Sequence, residues 1–202
     1  MSRLRPQPGA RPRASLLTRS FFNALRRHHV ALTPHVLWVR IARQEVWHYQ
    51  PRVSRCVIPN HVCAIDDLPA TRHRCSTSRF GIGQDEGSNC TPLGLHCIAR
   101  KIGAGWPVGT VFRGRQPVGF TWKGLPLAPI TTRMLWLEGL QPGLNRGGNV
   151  DSFRRYIYIH GIGDEPSLGR PASHGCIHLA ADELVPLFDK VPVGTLVWVS
   201  ER

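Results

Sequence analysis

Punctuation constrains this chain more than any other feature. From residue 33 onward, short apolar runs alternate with Pro/Gly-dense loops at 103–109, 114–129 and 139–149, in a chain holding 20 Gly and 17 Pro. Runs bounded in this way suit strands and leave no room for a helical core. Leu93 to Ile102 and Ile130 to Glu138 read as strands, Val36 to Tyr49 as two short strands around Ala42-Arg43-Gln44, and Thr195 to Val199 as a final strand. Ala181 to Asp189 is the helix expected outside the N-terminal tail, with Asp182 as N-cap and Pro186 within its tolerated first turns. The pattern predicts a mainly β domain, a sandwich or barrel with one or two short helices. A length of 202 residues suits a single domain, and no repeat marks a second one.

The formal net charge of +13 is concentrated at the start of the chain. Residues 1–32 carry seven arginines and no acid or lysine, which leaves +6 for the remainder. This segment is expected to be a basic, solvated and disordered tail ahead of a domain at 33–202. It could attract nucleic acid, but no base-reading or aromatic-stacking module accompanies it, so nucleic acid is not the expected partner. Leu17, Phe21 and Leu25 form an amphipathic stripe there, broken by Arg19, Arg26 and Arg27. No secretory apolar core and no run of about 18 apolar residues can be drawn, which predicts a cytoplasmic protein without an integral membrane segment. A start at an internal valine such as Val30 or Val36 would not change that. Residues 50–72, irregular and holding Pro51, Pro59 and Pro69, read as an insertion.

The chemistry gathers in residues 156–179. A strand-like run ends at His160-Gly161, and a polar loop then delivers Ser173-His174-Gly175-Cys176 into a second apolar run at Ile177. Tyr156, Tyr158 and His160 alternate with Ile157 and Ile159, so they share a face. One thiol beside two imidazoles is a candidate nucleophile and base, because cysteine attacks as thiolate and an adjacent imidazolium favours that form. The other five cysteines (Cys56, Cys63, Cys75, Cys90, Cys97) make no C-x-x-C pair and read as reduced structural thiols. Gly81-Ile82-Gly83 is no dinucleotide loop, since Glu86 holds the third glycine position.

His160-Gly161 followed by Ser173-His174-Gly175-Cys176, with His160 and Cys176 16 positions apart, resembles the active-site signature of the YkuD-type L,D-transpeptidases. Ser76–Gly83, Gly87-Ser88-Asn89, Thr91–Gly94, Trp136–Gly139, Asn145-Arg146-Gly147 and Leu187-Phe188-Asp189 look like further family segments in family order. The resemblance implies a YkuD-like β-sandwich or barrel and a cysteine acyl-transferase that needs no cofactor. Its partners would be a peptidoglycan stem peptide or muropeptide, with carbapenem-type β-lactams as covalent inhibitors. It further implies that Cys176 attacks the third residue of a tetrapeptide stem and releases the terminal D-Ala, with His160 taking the thiol proton. Backbone amides around His174, Gly175 and Cys176 would form the oxyanion hole. Ser173, Gly161, Tyr158 and His178 would line the substrate pocket. A cytoplasmic L,D-carboxypeptidase acting on recycled muropeptides is the close alternative, and the family's usual periplasmic setting is the alternative location.

Two departures stand out. His178 occupies the position, two after the thiol, where the family usually carries Arg or Asn, and Ile162 follows His-Gly where many relatives have a hydroxyl residue. Imidazole cannot clasp a carboxylate in the bidentate manner of guanidinium. The departure also opens a metal alternative: if residues 174–178 are extended, His174, Cys176 and His178 share a face and could join His160 around zinc. A third possibility is an inactive structural domain with a buried, inert cysteine.

Overall fold

The computed structural model describes residues 17–51 and 70–202. Among them are ten strands: β1 (Val36–Arg40), β2 (Glu45–Tyr49), β3 (Ala70–Ser76), β4 (Gly94–Ile102), β5 (Thr110–Arg113), β6 (Gln116–Phe120), β7 (Thr131–Gly139), β8 (Tyr158–Gly161), β9 (Ile177–Leu179) and β10 (Leu196–Ser200). Two α-helices, α1 (Arg19–Arg27) and α2 (Ala181–Lys190), complete the regular structure. The strands follow the order β4-β10-β1-β2-β3-β9-β8-β7, and β7 pairs back onto β4. That last pairing closes the sheet into a barrel, which removes the exposed edges an open sheet would present. The expected mainly β barrel with two short helices is therefore what the chain forms.

Strand alternation sorts the apolar residues into two cores. Leu37, Val39, Val46, Ile98, Leu135, Leu137, Ile159, Ile177, Leu179, Val197 and Val199 point to one side, where α2 adds Leu184, Leu187 and Phe188. Their strand neighbours Val36, Trp38, Trp47, Tyr49, Leu95, Leu196 and Trp198 point to the other side and pack against Leu17, Phe21, Ala24 and Leu25. Period-two alternation makes both faces of these strands apolar, so the second face needs a cover, and α1 supplies it.

This corrects the expected tail. Phe21 is fully buried and meets the Trp198 ring edge-on at 6.0 Å, so residues 17–32 belong to the folded body. Thr18 caps α1 by accepting the Phe21 N–H at 3.4 Å, and Arg26 and Arg27 lie in the last turn, where cations favour the helix dipole. Arg19, Arg26 and Arg27 are exposed on this helix. Residues 1–16 lie outside the described residues. So do residues 52–69 of the expected insertion, whereas 70–72 are part of β3.

Two local expectations change as well. The 114–129 loop contains β6, which forms a hairpin with β5 outside the ring, attached to β7 through Val111 opposite Thr131. Helix α2 begins at Ala181, not at an Asp182 cap; the Ala181 N–H donates to Glu165 Oε1 at 2.8 Å. Pro186 sits inside that helix.

Candidate active site

Strands β8 and β9 run parallel, with Ile159 opposite Ile177 and His160 opposite His178. A parallel pair needs a crossover, and residues 162–176 provide it. Ile159, Ile177 and Leu179 face the inner core, so alternation turns Tyr158, His160 and His178 to the other side of the sheet. Cys176 immediately precedes β9 and lies against the start of β8. Its Sγ accepts the Tyr158 N–H at 3.4 Å and its S–H points to the Tyr156 carbonyl at 3.5 Å. Tyr156 holds this position with a left-handed φ of 56°, uncommon for a bulky residue.

His160 is buried at 2 % exposure, and its Nδ1 lies 2.8 Å from the Gly161 carbonyl. A carbonyl can only accept, so Nδ1 carries the proton and Nε2 keeps the lone pair a general base requires. The His160 ring packs 4.7 Å from the His178 ring and 6.3 Å from that of Tyr158. Gly161 is buried and runs tight against β7, where an added Cβ would come 2.8 Å from the Thr131 carbonyl.

The electrostatics differ from the sequence expectation of a thiol ionised by imidazole. Burial pushes the Cys176 thiol up to about 11, against the smaller opposing effects of the Tyr158 N–H and the Arg155 charge. Burial also holds His160 down to about 4, opposed by its bond to Gly161. Both groups are therefore neutral in the resting site at pH 7. Desolvation penalises each charged form. His178 is pushed down to about 3, first by burial and then by His160 and His174. Its Nδ1 has no hydrogen-bond partner among the described residues.

The loop before the thiol is tied internally. Ser173 Oγ donates to the Cys176 carbonyl at 2.6 Å and accepts the Gly175 N–H at 3.2 Å, while the Ser173 N–H reaches the Thr77 carbonyl at 3.0 Å. Thr91 Oγ1 donates to the Gly175 carbonyl at 3.0 Å and accepts the Ser78 N–H at the same distance. Gly175 has φ 118°, and a Cβ there would stand 3.2 Å from the Cys90 carbonyl, so this corner needs glycine. The Gly175 amide, expected as an oxyanion donor, is engaged by Ser173. Tyr158 supplies the N–H aimed at the sulfur.

His174 is exposed, with Nε2 accepting from Arg79 at 2.7 Å and its ring 5.4 Å from that of Phe80. Residues 174–176 bend and only 177–179 are strand, which breaks the alternation the metal alternative relied on. Among the described residues no group of three His, Cys, Asp or Glu side chains converges to hold a metal.

Several participants escaped sequence reasoning. Arg155 donates to the carbonyls of Gln84 at 2.7 Å, Cys90 at 2.8 Å and Gly83 at 3.3 Å, pinning the 83–90 loop beside the thiol. Trp136 stacks on Phe153 at 4.1 Å and lies 5.5 Å from the Tyr156 ring. A cleft of about 140 Å³ opens between Glu86, Asn89, Arg154, Tyr156 and His174, and one of about 400 Å³ lies past the end of β8 at Val108, Trp122, Pro126 and Ile162. Trp136 stands in a segment already noted as family-like, and the doublet Arg154-Arg155 next to the Tyr156–His160 run is the other signal the sequence offers.

Residues 35–199 match the family model of the L,D-transpeptidase catalytic domain, YkuD. YqjB of Bacillus subtilis (strain 168), provisionally named an L,D-transpeptidase, is 46% identical over 47 residues, which is 23% of this chain and 27% of that protein. An L,D-transpeptidase from Mycobacterium smegmatis aligns with a TM-score of 0.45 and 15% identity, covering 83% of this chain and 58% of that one. L,D-transpeptidase 3 from Mycobacterium tuberculosis, in complex with a faropenem-derived adduct, aligns with a TM-score of 0.46 and 17% identity, covering 83% and 60%. The chain thus spans about a quarter of the curated relative and under two thirds of these solved structures. With the family match extending over nearly the whole barrel and enclosing both His160 and Cys176, the chain belongs to the YkuD family of L,D-transpeptidase catalytic domains.

Proposed function

We propose that this domain transfers acyl groups from peptidoglycan stem peptides through a thioester on Cys176. One observation carries the reading: the parallel β8–β9 pairing brings a half-buried thiol against the start of β8, the strand that carries a buried, Nδ1-protonated imidazole, with a backbone N–H directed at the sulfur. As sulfur attacks the carbonyl carbon of the stem's third residue, the thiol proton passes to His160 Nε2. The C–N bond to the terminal D-Ala then breaks, and His160 returns the proton to the leaving amine. An amine, or water, next gives its proton to His160, attacks the thioester and frees the thiol. Exclusion of water suits the first half, because an imidazole near 4 holds a proton briefly and releases it readily.

The test is a tetrapeptide stem assayed with and without a free amine acceptor. Release of D-Ala together with a new amide marks transfer, and release of D-Ala with free tripeptide alone marks carboxypeptidase activity. Intact mass after carbapenem exposure should show one adduct, absent from Cys176→Ala. A folded chain that forms no adduct and releases no D-Ala would reject the proposal.

A further inference from the structure

The position two residues past the thiol holds His178, buried and neutral, so the site lacks a cation where the family usually places one. Arg155 lies close enough for its charge to act on the thiol, and it and other arginines of this region are already engaged. Arg155 is committed to the 83–90 loop, Arg79 to His174, and Arg154 lies beside the Asp151 carboxylate. Arg100 is stacked over Trp136 and Phe153.

Arg115 differs. It sits in the turn between β5 and β6 with φ 69°, is exposed, and makes no salt bridge with any acid among the described residues. Its guanidinium stands 5.1 Å from the Tyr156 ring centre and 5.3 Å from that of Trp136, beside the Tyr158 and Tyr156 hydroxyls. Those two tyrosines are the residues whose backbone atoms flank Cys176 Sγ. Stacking on two aromatic faces and hydrogen bonding to the Tyr158 and Tyr156 hydroxyls fix the planar fork, and the solvent-facing N–H donors that remain on this exposed guanidinium are set for contact with a carboxylate.

We propose that Arg115 is the specificity-determining cation of this site, docking a carboxylate of the peptide substrate in place of the guanidinium that His178 cannot supply. The inference rests on the reading of Cys176 as an acyl-transfer nucleophile. The recognised carboxylate is either the C-terminal group of the leaving residue or the side-chain group of an acidic third residue.

The experiment uses the full chain, with Arg115→Ala and Arg115→Lys, and three tetrapeptides: the free acid, its C-terminal amide, and a form amidated on the third residue's side chain. For the free acid, Arg115→Ala should raise KM about 10- to 100-fold with kcat changed less than about threefold, as expected for loss of a charge-assisted pair made in ground and transition states alike. Arg115→Lys should lie between, because it keeps the charge and loses the fork. One of the two amides should raise KM for the parent by the same factor and leave Arg115→Ala indifferent, and that arm identifies the carboxylate. Iodoacetamide labelling of Cys176 should proceed at the parent rate in both variants, showing that the site is folded. The proposal is overturned if both variants turn over the acid with the parent's KM, if kcat alone falls, or if Arg115→Ala still separates acid from amide. A parent chain that releases no D-Ala from any peptide overturns the reading of the site itself, a result distinct from turnover that ignores Arg115.

Discussion

The barrel carries two outward-facing surfaces built by the same alternation and finished in opposite ways. On β1, β2, β4 and β10 the outer residues are Trp38, Trp47, Tyr49, Leu95 and Trp198, and α1 seals them with Phe21 and Leu25. On β8 and β9 the corresponding positions are Tyr158, His160 and His178, and loops rather than a helix surround them. The first surface gains stability from apolar burial. The second buries ionisable groups without ion-pair partners, which shifts thiol and imidazole in opposite directions. Perturbation of this kind is characteristic of functional sites, and here it coincides with the family signature.

The sharpest way to break this comparison is Cys176→Ala. It should lower D-Ala release by about 10⁴-fold or more while changing the free energy of urea unfolding by no more than about 1 kcal/mol. A large loss of stability in this variant would mean the thiol is core, like Cys75.

Next in size is Phe21→Ala. Removing a fully buried aromatic ring should cost about 3–5 kcal/mol in urea unfolding, yet leave the kcat of folded protein near the parent value. If stability is unchanged, α1 is not a working part of the barrel.

His160→Gln should reduce turnover about 10²- to 10³-fold. In the parent, iodoacetamide labelling of Cys176 should be slow at pH 7 and climb with pH toward about 11, because the raised thiol loses its proton only there. The same climb in His160→Gln would show that no thiolate–imidazolium pair exists at rest. A labelling plateau near pH 6 in the parent would contradict the neutral pair.

The last test concerns acid. His48, His96 and His160 are each held down to about 4, mainly by burial. Above pH 6.5 folded and unfolded chains are both neutral at these rings, so nothing changes. As pH falls from 6.5 toward 4 the unfolded chain takes up protons first, and stability drops through that window by up to about 3 kcal/mol for each ring. Urea midpoints at pH 7 and 4.5 measure it, and His160→Gln should flatten the slope by one ring's share. An unaltered slope would place His160 in water.

Legibility in the sequence followed locality. Val36 to Tyr49 and the two long runs forming β4 and β7 were readable because each apolar-rich run is bounded by Pro or Gly. Strand β6 was not, since Pro117 and Gly119 demote it by every local rule and pairing with β5 overrides them. The stripe Leu17, Phe21, Leu25 was visible, but three arginines on its far side and the unseen Trp198 made it look solvated. Asp182 resembled a cap because nothing local shows Glu165 arriving from 16 residues upstream.

What the chain determined alone was which residues could do chemistry: one cysteine and one histidine at a spacing that a parallel strand pair and its crossover can close. Tertiary structure decided their state. Burial withdrew the solvent that would have stabilised either charge, and the Gly161 carbonyl selected the imidazole tautomer. Folding a distant hairpin beside Tyr156 and Tyr158 brought Arg115 onto the Tyr156 and Trp136 rings. Solvation, tautomer and long-range charge are properties of position in space, and no spacing along the chain encodes them.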